Sequence, residues 1–133
     1  MSRVHILNTN QSSNKACEVD MLNKEKCAAY YGKWKQLIHH FKKDDLVFLY
    51  SNKKGIIARG IATGIVETAN HEGHEKEEFF MKLKEFQRLK IYLAASEIRD
   101  ISGMNIMFGQ TLFTFKHDET GRKVWEYITK YNV

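Results

Sequence analysis

The chain has no proline, only two cysteines and only eight glycines among its 133 residues. Without proline, the strongest breaker of helices and strands is missing, so glycine and polar residues must make the turns. Two cysteines do not build the disulfide framework of a small secreted domain, so we expect Cys17 and Cys27 to be free thiols. The apolar runs are too short for a membrane span or a signal peptide, so we expect a cytoplasmic protein with no membrane partner.

The composition is that of a folded domain with a positive charge. Hydrophobic residues make up 43% and charged residues 28%, which is typical of a globular protein. A chain of this length buries roughly two-thirds of its unfolded surface, so one domain over residues 1–133 needs no metal or disulfide to be stable. The net charge of +5 favours an anionic partner, of which nucleic acid is the most common.

The stretch "LVFLYSNKKGIIARGIATG" predicts a buried hairpin. Residues 46–50 are apolar on both faces, as in a strand that is covered on both sides. Residues 51–55 form a polar turn that ends in glycine, and residues 56–66 return as the partner strand. Two glycines within the returning strand indicate a bend or a bulge, which a tightly curved sheet requires.

The remaining periodicities predict an α+β protein. The stretch 24–43 repeats apolar and aromatic residues at three- and four-residue steps and predicts an amphipathic helix, whereas 67–77 is polar and predicts a loop. Further strands are predicted at 3–7, 78–86, 89–93 and 111–115, and further helices around Ala16 and Val19, from Ser96 to Gly103, and over 121–131. This order predicts a mainly antiparallel, curved β-barrel with flanking helices.

No residue pattern points to a catalytic or metal site. His71 and His74 lie close together, as do His39 and His40, but zinc needs three or four converging ligands, so we expect solvated histidines. The chain has no Gly-x-Ser-x-Gly elbow and no phosphate loop, and the run "EGHEKEE" is typical of a solvated face. We therefore assign no catalytic residue, no metal and no cofactor.

Several aromatic and polar residues are candidates for binding a base. Tyr50 ends a buried strand at a turn, so its ring belongs either to the core or to a pocket. Trp34 and Trp125 lie at helical spacing with apolar residues, which favours core packing. Asn8 and Asn10 follow the first strand; their amides either read a base edge or satisfy the backbone of a turn.

Taken in order, these pieces resemble the PUA-like superfamily, and within it the EVE and YTH-like branch. A strand runs into Asn8-Thr9-Asn10, a helical stretch follows, and then "FKKDDLVFLYSNKKGIIARGIATG" is similar to the family's lysine-rich turn and hairpin. Later, "EEFFMKLKEF" is similar to the family's next strand, so the resemblance covers roughly residues 3–115. Two departures stand out: Leu22 lies where the family often has a cage tryptophan, and Asp44 replaces the usual turn glycine.

The resemblance implies a small barrel that binds DNA or RNA and encloses a flipped, modified base in an aromatic-lined pocket. Enclosure lets a protein inspect an added methyl group, at an unstacking cost of a few kcal/mol. Aromatic stacking returns roughly 1–3 kcal/mol per base. The residues that the resemblance assigns to the base are Asn8, Thr9, Asn10, Leu22, Asn23, Tyr30, Trp34, Tyr50, Ser51 and Asn52, and those assigned to phosphates are Lys53, Lys54 and Arg59.

Related modules are often joined to nucleases or ATPases in modification-dependent defence systems, so this chain is expected to work alone, with a separate partner of that kind, or as a fragment. A second hypothesis is a small enzyme of the related ASCH branch that acts on RNA or on a modified nucleoside. That hypothesis expects a Lys, Glu and Thr or Ser site inside the barrel, for which Glu67, Thr68 and Lys82 are candidates. A third hypothesis is a protein-interaction domain, which would have no affinity for nucleic acid at low salt.

Overall fold

The structure is a computed structural model that describes residues 2–9, 15–30, 32–71 and 73–133, with the backbone alone described for 32–34, 71 and 74–77. The described strands are β1 (Val4–Asn8), β2 (Lys26–Tyr30), β3 (Leu46–Ser51), β4 (Gly55–Ala62), β5 (Glu67–His71), β6 (His74–Leu93) and β7 (Leu112–Thr114). The helices are α1 (Lys15–Lys24), α2 (Ala95–Ser102) and α3 (Asp118–Tyr131), with a 3₁₀ helix at Gly32–His40.

The seven strands form one curled, mixed sheet in the order β2-β6-β4-β3-β1-β7, with β5 also paired to β6. Among the described strands, β1 and β3 pair in parallel and the other pairs are antiparallel. The register of β4 against β6 shifts twice, and Glu85 of β6 has a φ of 51°, so the long strand bends at a bulge. The expected α+β class with a curved, mostly antiparallel sheet is confirmed, in the form of a half-barrel.

The sheet has a separate core on each face. The inner core lies within the curl under α1 and the 3₁₀ helix, and it includes Leu7, Met21, Ile38 and Leu49. The outer core lies under α2, α3 and the loop before β7, and it includes Ile6, Phe48, Ile98, Phe115 and Ile128. Neighbouring residues of β1 and β3 point to opposite faces, so each strand contributes to both cores, which explains the all-apolar run at 46–50.

The helix predicted over 24–43 is wrong. Lys26–Tyr30 forms strand β2 along the edge of β6, and all five of its residues are buried. The 3₁₀ helix follows, and Ile38 and Phe41 are buried three residues apart, a spacing that a 3₁₀ helix also satisfies. Cross-strand pairing with β6 therefore decided the structure of this segment against its helical periodicity.

The remaining predictions of strands, loops and helix ends were partly wrong and partly confirmed. The loop expected at 67–77 is wrong, because β5 and the start of β6 form a hairpin there, and the strands expected at 78–86 and 89–93 are one strand. Helix α2 ends at Gly103 as expected, with a φ of 68°, but Ala94 and not Ser96 is its N-cap residue. Both cysteines are buried thiols. No helix in the described part of the chain is long and apolar enough to cross a membrane.

Candidate functional site

The parallel strands β1 and β3 end together, and polar residues follow at that edge. Asn8 pairs with Tyr50 in the register, and the backbone N–H of Thr9 donates to the Tyr50 carbonyl at 2.9 Å. Since side chains alternate along a strand, Asn8 and Tyr50 face the outer core, whereas Thr9 and Ser51 face the inner core. The predicted base-contacting residues at this edge are therefore divided between two faces of the sheet.

On the outer face, Asn8 organises the edge. Its amide nitrogen donates to the Asn52 side-chain oxygen at 2.9 Å and to the Phe108 carbonyl at 3.1 Å. Both donors of the amide are thus engaged with the turn after β3 and with the loop before β7. In this arrangement Asn8 holds the end of β1 in place. Of the two roles offered by the sequence, bonding to a turn describes these contacts better than reading a base edge does.

Tyr50 lies in the outer core. Its ring stacks on Phe108 with centroids 4.4 Å apart and an interplanar angle of 7°. The Arg99 guanidinium lies 5.2 Å from the centroid of the Phe108 ring. Burial raises the pKa of the Tyr50 hydroxyl above its ordinary value, against the opposing effect of the Arg99 charge. Because Phe108 covers one face of its ring, the arrangement of Tyr50 favours core packing over a pocket.

The inner polar cluster is our name for Thr9 and Glu18, which are hydrogen-bonded, together with Ser51, which strand alternation after the outer-facing Tyr50 assigns to the same face. The Thr9 hydroxyl donates to the Glu18 carboxylate at 2.6 Å, and Glu18 lies in the first turn of α1. The second carboxylate oxygen lies 3.7 Å from the ammonium of Lys54 in the β3–β4 turn. All three cluster residues are buried, and the Ser51 hydroxyl has no hydrogen-bond partner within the described parts of the chain.

Tyr30 shares the inner face with this cluster. It ends β2, opposite Glu78 of β6, and its ring belongs to the inner core together with Leu7 and Leu49. The structure therefore places the two predicted tyrosines on different faces, with Tyr30 on the side of Ser51. Leu22, at the position of the family's cage tryptophan, packs partly buried against the same core.

The other predicted base-contacting residues lie at the margin. Asn23 is exposed, and its side-chain oxygen accepts a hydrogen bond from Arg88 at 3.0 Å, which links α1 to β6. Asn10 lies outside the described residues, and so does the side chain of Trp34, whose backbone belongs to the 3₁₀ helix. Their contacts with a base stay predictions.

The three predicted phosphate ligands are not brought together. Lys53 and Lys54 are exposed in the β3–β4 turn, where Lys53 takes a φ of 71°. Arg59 is buried in the middle of β4, and its guanidinium lies 4.3 Å from the centroid of the Trp125 ring in α3. Only the two lysines are therefore near the inner polar cluster.

A second buried polar group escaped the sequence analysis. The Lys26 ammonium is paired with the Glu78 carboxylate and lies 2.8 Å from Asp20 and 4.6 Å from the Phe80 ring centroid. Lys26 is 1% exposed and Glu78 is 3% exposed. These partners are 52 residues apart in sequence, so no local spacing signals them. By contrast Glu67, Thr68 and Lys82, which the enzyme hypothesis places inside the barrel, are exposed.

A third group joins the start of β3 to β1 and β7. The His5 ring nitrogens lie 2.8 Å from Asp45 and 2.8 Å from the Thr114 hydroxyl, and the backbone N–H groups of Arg3 and Lys42 also donate to Asp45. Burial lowers the pKa of His5, although Asp45 opposes this effect. Burial works to raise the pKa of Asp45, but its hydrogen bonds to Lys42, His5 and Arg3 outweigh that effect and lower it.

The cysteine thiol groups and the possible metal ligands are further candidate sites of chemistry. Burial raises the pKa of the Cys27 thiol to about 12, so Cys27 is not a thiolate near neutral pH. The described residues contain no group of three His, Cys, Asp or Glu side chains that is arranged to hold a metal ion. The side chains of His71 and His74 lie outside the described set, so the prediction for that pair is not tested.

Comparison with known proteins shows the fold. No family model and no curated protein matches the chain. The ASCH structure from Zymomonas mobilis is similar with 12% identity and a TM-score of 0.60, and the alignment covers 98% of this chain and 96% of that one. A hypothetical protein from Leishmania major gives 8% identity, a TM-score of 0.60 and the same coverages. The YTH domain-containing protein mmi1, solved with RNA, gives 9% identity and a TM-score of 0.61 over 96% of this chain and 81% of that one.

These likenesses agree with the PUA-like fold expected from the sequence. The ASCH and YTH neighbours both align over nearly the whole of this chain. Membership of the EVE branch is not confirmed and stays a prediction. At identities of 8–12%, the neighbours define an architecture and leave the chemistry to the residues of this chain.

Proposed function

We propose that this protein is a nucleic-acid-binding module that encloses a single base, flipped from its strand, against the inner polar cluster. The observation that carries the proposal is the Ser51 hydroxyl, which is fully buried and has no partner among the described residues. A buried polar group left unsatisfied costs about 1–3 kcal/mol, and such groups are rare in folded proteins. A ligand atom that bonds to this hydroxyl would remove the cost.

The chemistry around Ser51 suits the edge of a base. The Glu18 carboxylate accepts hydrogen bonds and is held by Thr9, so it can recognise an amino or imino group of a base. Tyr30 supplies an aromatic ring on the same face of the sheet, and stacking on such a ring is worth roughly 1–3 kcal/mol per base. Tyr50 does not contact a base bound at the inner polar cluster, because it lies on the outer face of the sheet.

The charge distribution supports a strand that runs past the β3–β4 turn. Lys53 and Lys54 are exposed in the turn that follows Ser51 and Asn52, and the chain as a whole carries a net charge of +5. Lysines at this place would hold phosphates, which adds affinity without reading sequence. The fold supports the same proposal, since mmi1, which shares it, was solved in complex with RNA.

Two finer predictions belong to the same proposal. A modified base is the expected ligand, because full enclosure is the arrangement that best inspects an added methyl group. A separate nuclease or ATPase in a cytoplasmic, modification-dependent system is the expected partner. Both rest on the resemblance described from the sequence.

The test uses short oligonucleotides, plain and methylated at adenine or cytosine, single- and double-stranded, with the wild type, Ser51→Ala and the exposed control Ser96→Ala. Ser51→Ala removes an unsatisfied hydroxyl, so its melting temperature should equal or exceed that of the wild type. It should weaken binding of the preferred oligonucleotide 2- to 10-fold, which corresponds to about 0.5–1.5 kcal/mol for one hydrogen bond. Ser96→Ala should change neither quantity.

Other outcomes would contradict the proposal. A Ser51→Ala protein that binds every oligonucleotide as the wild type does would show that the hydroxyl meets no ligand. Wild-type binding that ignores base modification and disappears at high salt would leave only a basic surface. No binding even at low salt would favour the protein-interaction domain.

One observation favours a second candidate, a small ASCH-like enzyme that acts on RNA or on a modified nucleoside. The buried pair of Lys26 and Glu78 has the residue types which that hypothesis expects inside the barrel. The test is turnover of RNA and of N-acylated nucleosides by the wild type and by Glu78→Gln, in which Asp20 still neutralises Lys26. Turnover that is lost in a folded Glu78→Gln protein would replace the reader proposal, whereas absence of turnover would remove the enzyme.

A further inference from the structure

A cleft beside α3 has no role in the proposed function. It encloses about 420 Å³ and is lined mainly by Arg59, Glu85, Phe86, Gln87, Trp125 and Thr129, between the β4–β6 part of the sheet and α3. That volume lies in the range of small-ligand sites, roughly 300–1,000 Å³. Glu85 sits at the bulge of β6 with a φ of 51°, so the strand bends beside the cleft.

Within the described part of the chain, Arg59 is a buried cation without a counter-charge. It is only 4% exposed, and each of its hydrogen bonds goes to a neutral acceptor: the Gln87 amide oxygen, the Trp125 carbonyl and the Thr129 hydroxyl. No described carboxylate lies within 4.0 Å of its guanidinium. Burial lowers the pKa of Arg59, which is the direction expected when no anion compensates the charge.

The donors that remain define the geometry of a ligand. A guanidinium has five N–H donors, and the four hydrogen bonds of Arg59 leave one on Nη2. Gln87 receives Arg59 at its oxygen, so its amino group keeps its donors for another acceptor. The Thr129 hydroxyl already donates to the Trp125 carbonyl at 3.0 Å. Because Trp125 covers the guanidinium face, an acceptor must approach at its edge.

We propose that this cleft binds a phosphate group, with two of its oxygens held by the Nη2 of Arg59 and the amino group of Gln87. Donors from two residues suit a tetrahedral anion, which offers oxygens in several directions. The exposed Glu85 carboxylate lines the same cleft, so a singly charged phosphodiester fits better than a doubly charged phosphate ester. The phosphate comes either from a bound strand or from a free small molecule; only the first source rests on the proposed function.

The key variant is Gln87→Glu. It is nearly isosteric and places a carboxylate on the two Arg59 nitrogens that now contact the amide oxygen, so the fold should be preserved and the charge of Arg59 neutralised. Gln36→Glu, at an exposed position on the 3₁₀ helix, makes the same change in net charge as a control. The probes are dimethyl phosphate, as a singly charged diester, and inorganic phosphate.

Binding is followed by the NMR signals of the Arg59 Nε–H and the Trp125 indole. The wild type and Gln36→Glu should show saturable shifts with dimethyl phosphate at constant ionic strength, whereas Gln87→Glu should bind it at least 10-fold more weakly. A wild type that shows no saturable shift, or a Gln87→Glu protein that binds as the wild type does, would overturn the site.

RNA binding then distinguishes the two sources of phosphate. If a strand supplies the phosphate, Gln87→Glu should reduce the slope of log K against log salt by about 0.7 for single-stranded RNA, relative to Gln36→Glu. If the slope is unchanged while dimethyl phosphate binding is lost, the site stands and belongs to a free phosphate ester. The titration with dimethyl phosphate does not depend on base recognition, so the site can be established even if the reader proposal fails.

Discussion

The buried pair of Lys26 and Glu78 makes the sharpest prediction about stability. Lys26→Met keeps the length and much of the volume of the side chain but leaves the Glu78 carboxylate, which is 3% exposed, without its cation. Breaking a buried ion pair from one side costs about 3–5 kcal/mol, because the remaining charge is desolvated and unpaired. Domains of this size have about 5–15 kcal/mol of stability in total, so the change is large.

The matched control is the double variant Lys26→Met/Glu78→Leu. Replacing both partners of a buried pair with apolar residues is often neutral or stabilising, so the double variant should be far more stable than the single one. Asp20, which also contacts Lys26, keeps Lys24 at 3.1 Å and is partly exposed, so it tolerates the loss. The methionine side chain can still pack on Phe80, where the ammonium now lies.

The measurement is urea unfolding followed by circular dichroism. With a slope near 2 kcal/mol per M, a loss of about 4 kcal/mol lowers the midpoint by about 2 M. A single variant that loses less than about 1 kcal/mol, or a double variant no more stable than the single one, would refute the reasoning.

Two further predictions concern β1. In Gly121→Ala the new Cβ would lie 2.5 Å from the Cβ of Val4, so α3 must move away from β1. The overpacking costs about 1–3 kcal/mol, which outweighs a gain in helix propensity of about 1 kcal/mol, so the melting temperature should fall. The exposed control Lys123→Ala should keep the melting temperature of the wild type. The lowered pKa values of His5 and Asp45 make both groups favour stability at high pH. Unfolding midpoints should therefore fall as the pH drops below about 6.5 and again below about 4, and His5→Gln should remove the first step; a midpoint that is constant between pH 7 and 5 in the wild type would contradict this.

Elements whose signals are local were predictable from the sequence. The hairpin of β3 and β4 was recognisable because an all-apolar run, a polar turn and a glycine follow one another within a few residues. Gly55 takes a φ of 107° at that turn, and a Cβ there would lie 2.1 Å from the Leu93 carbonyl oxygen. Asp44, noted as a departure from a turn glycine, takes a φ of 72°, so that position does have the conformation which favours glycine.

The faces of the sheet were not predictable to the same degree. Tyr30 and Tyr50 both looked like candidates for one pocket, yet one packs in the inner core and the other in the outer core. A segment that is buried on both faces carries no alternation, so its sequence does not tell which face a residue takes. The helical periodicity of 24–43 misled for a related reason, since pairing with β6 outweighed local propensity.

By itself, the sequence determined the α+β class, the hairpin, helix α2 with its end at Gly103, and the excess of positive charge. Each of these depends on neighbouring residues or on composition. Only the tertiary structure decided which side chains meet. The bond between Thr9 and Glu18, the pair of Lys26 and Glu78, and the burial of Arg59 against Trp125 all join separate elements. The curl of the sheet brings these partners together and removes water from them, and this desolvation is the reason that we propose ligands for the Ser51 hydroxyl and for the Arg59 guanidinium.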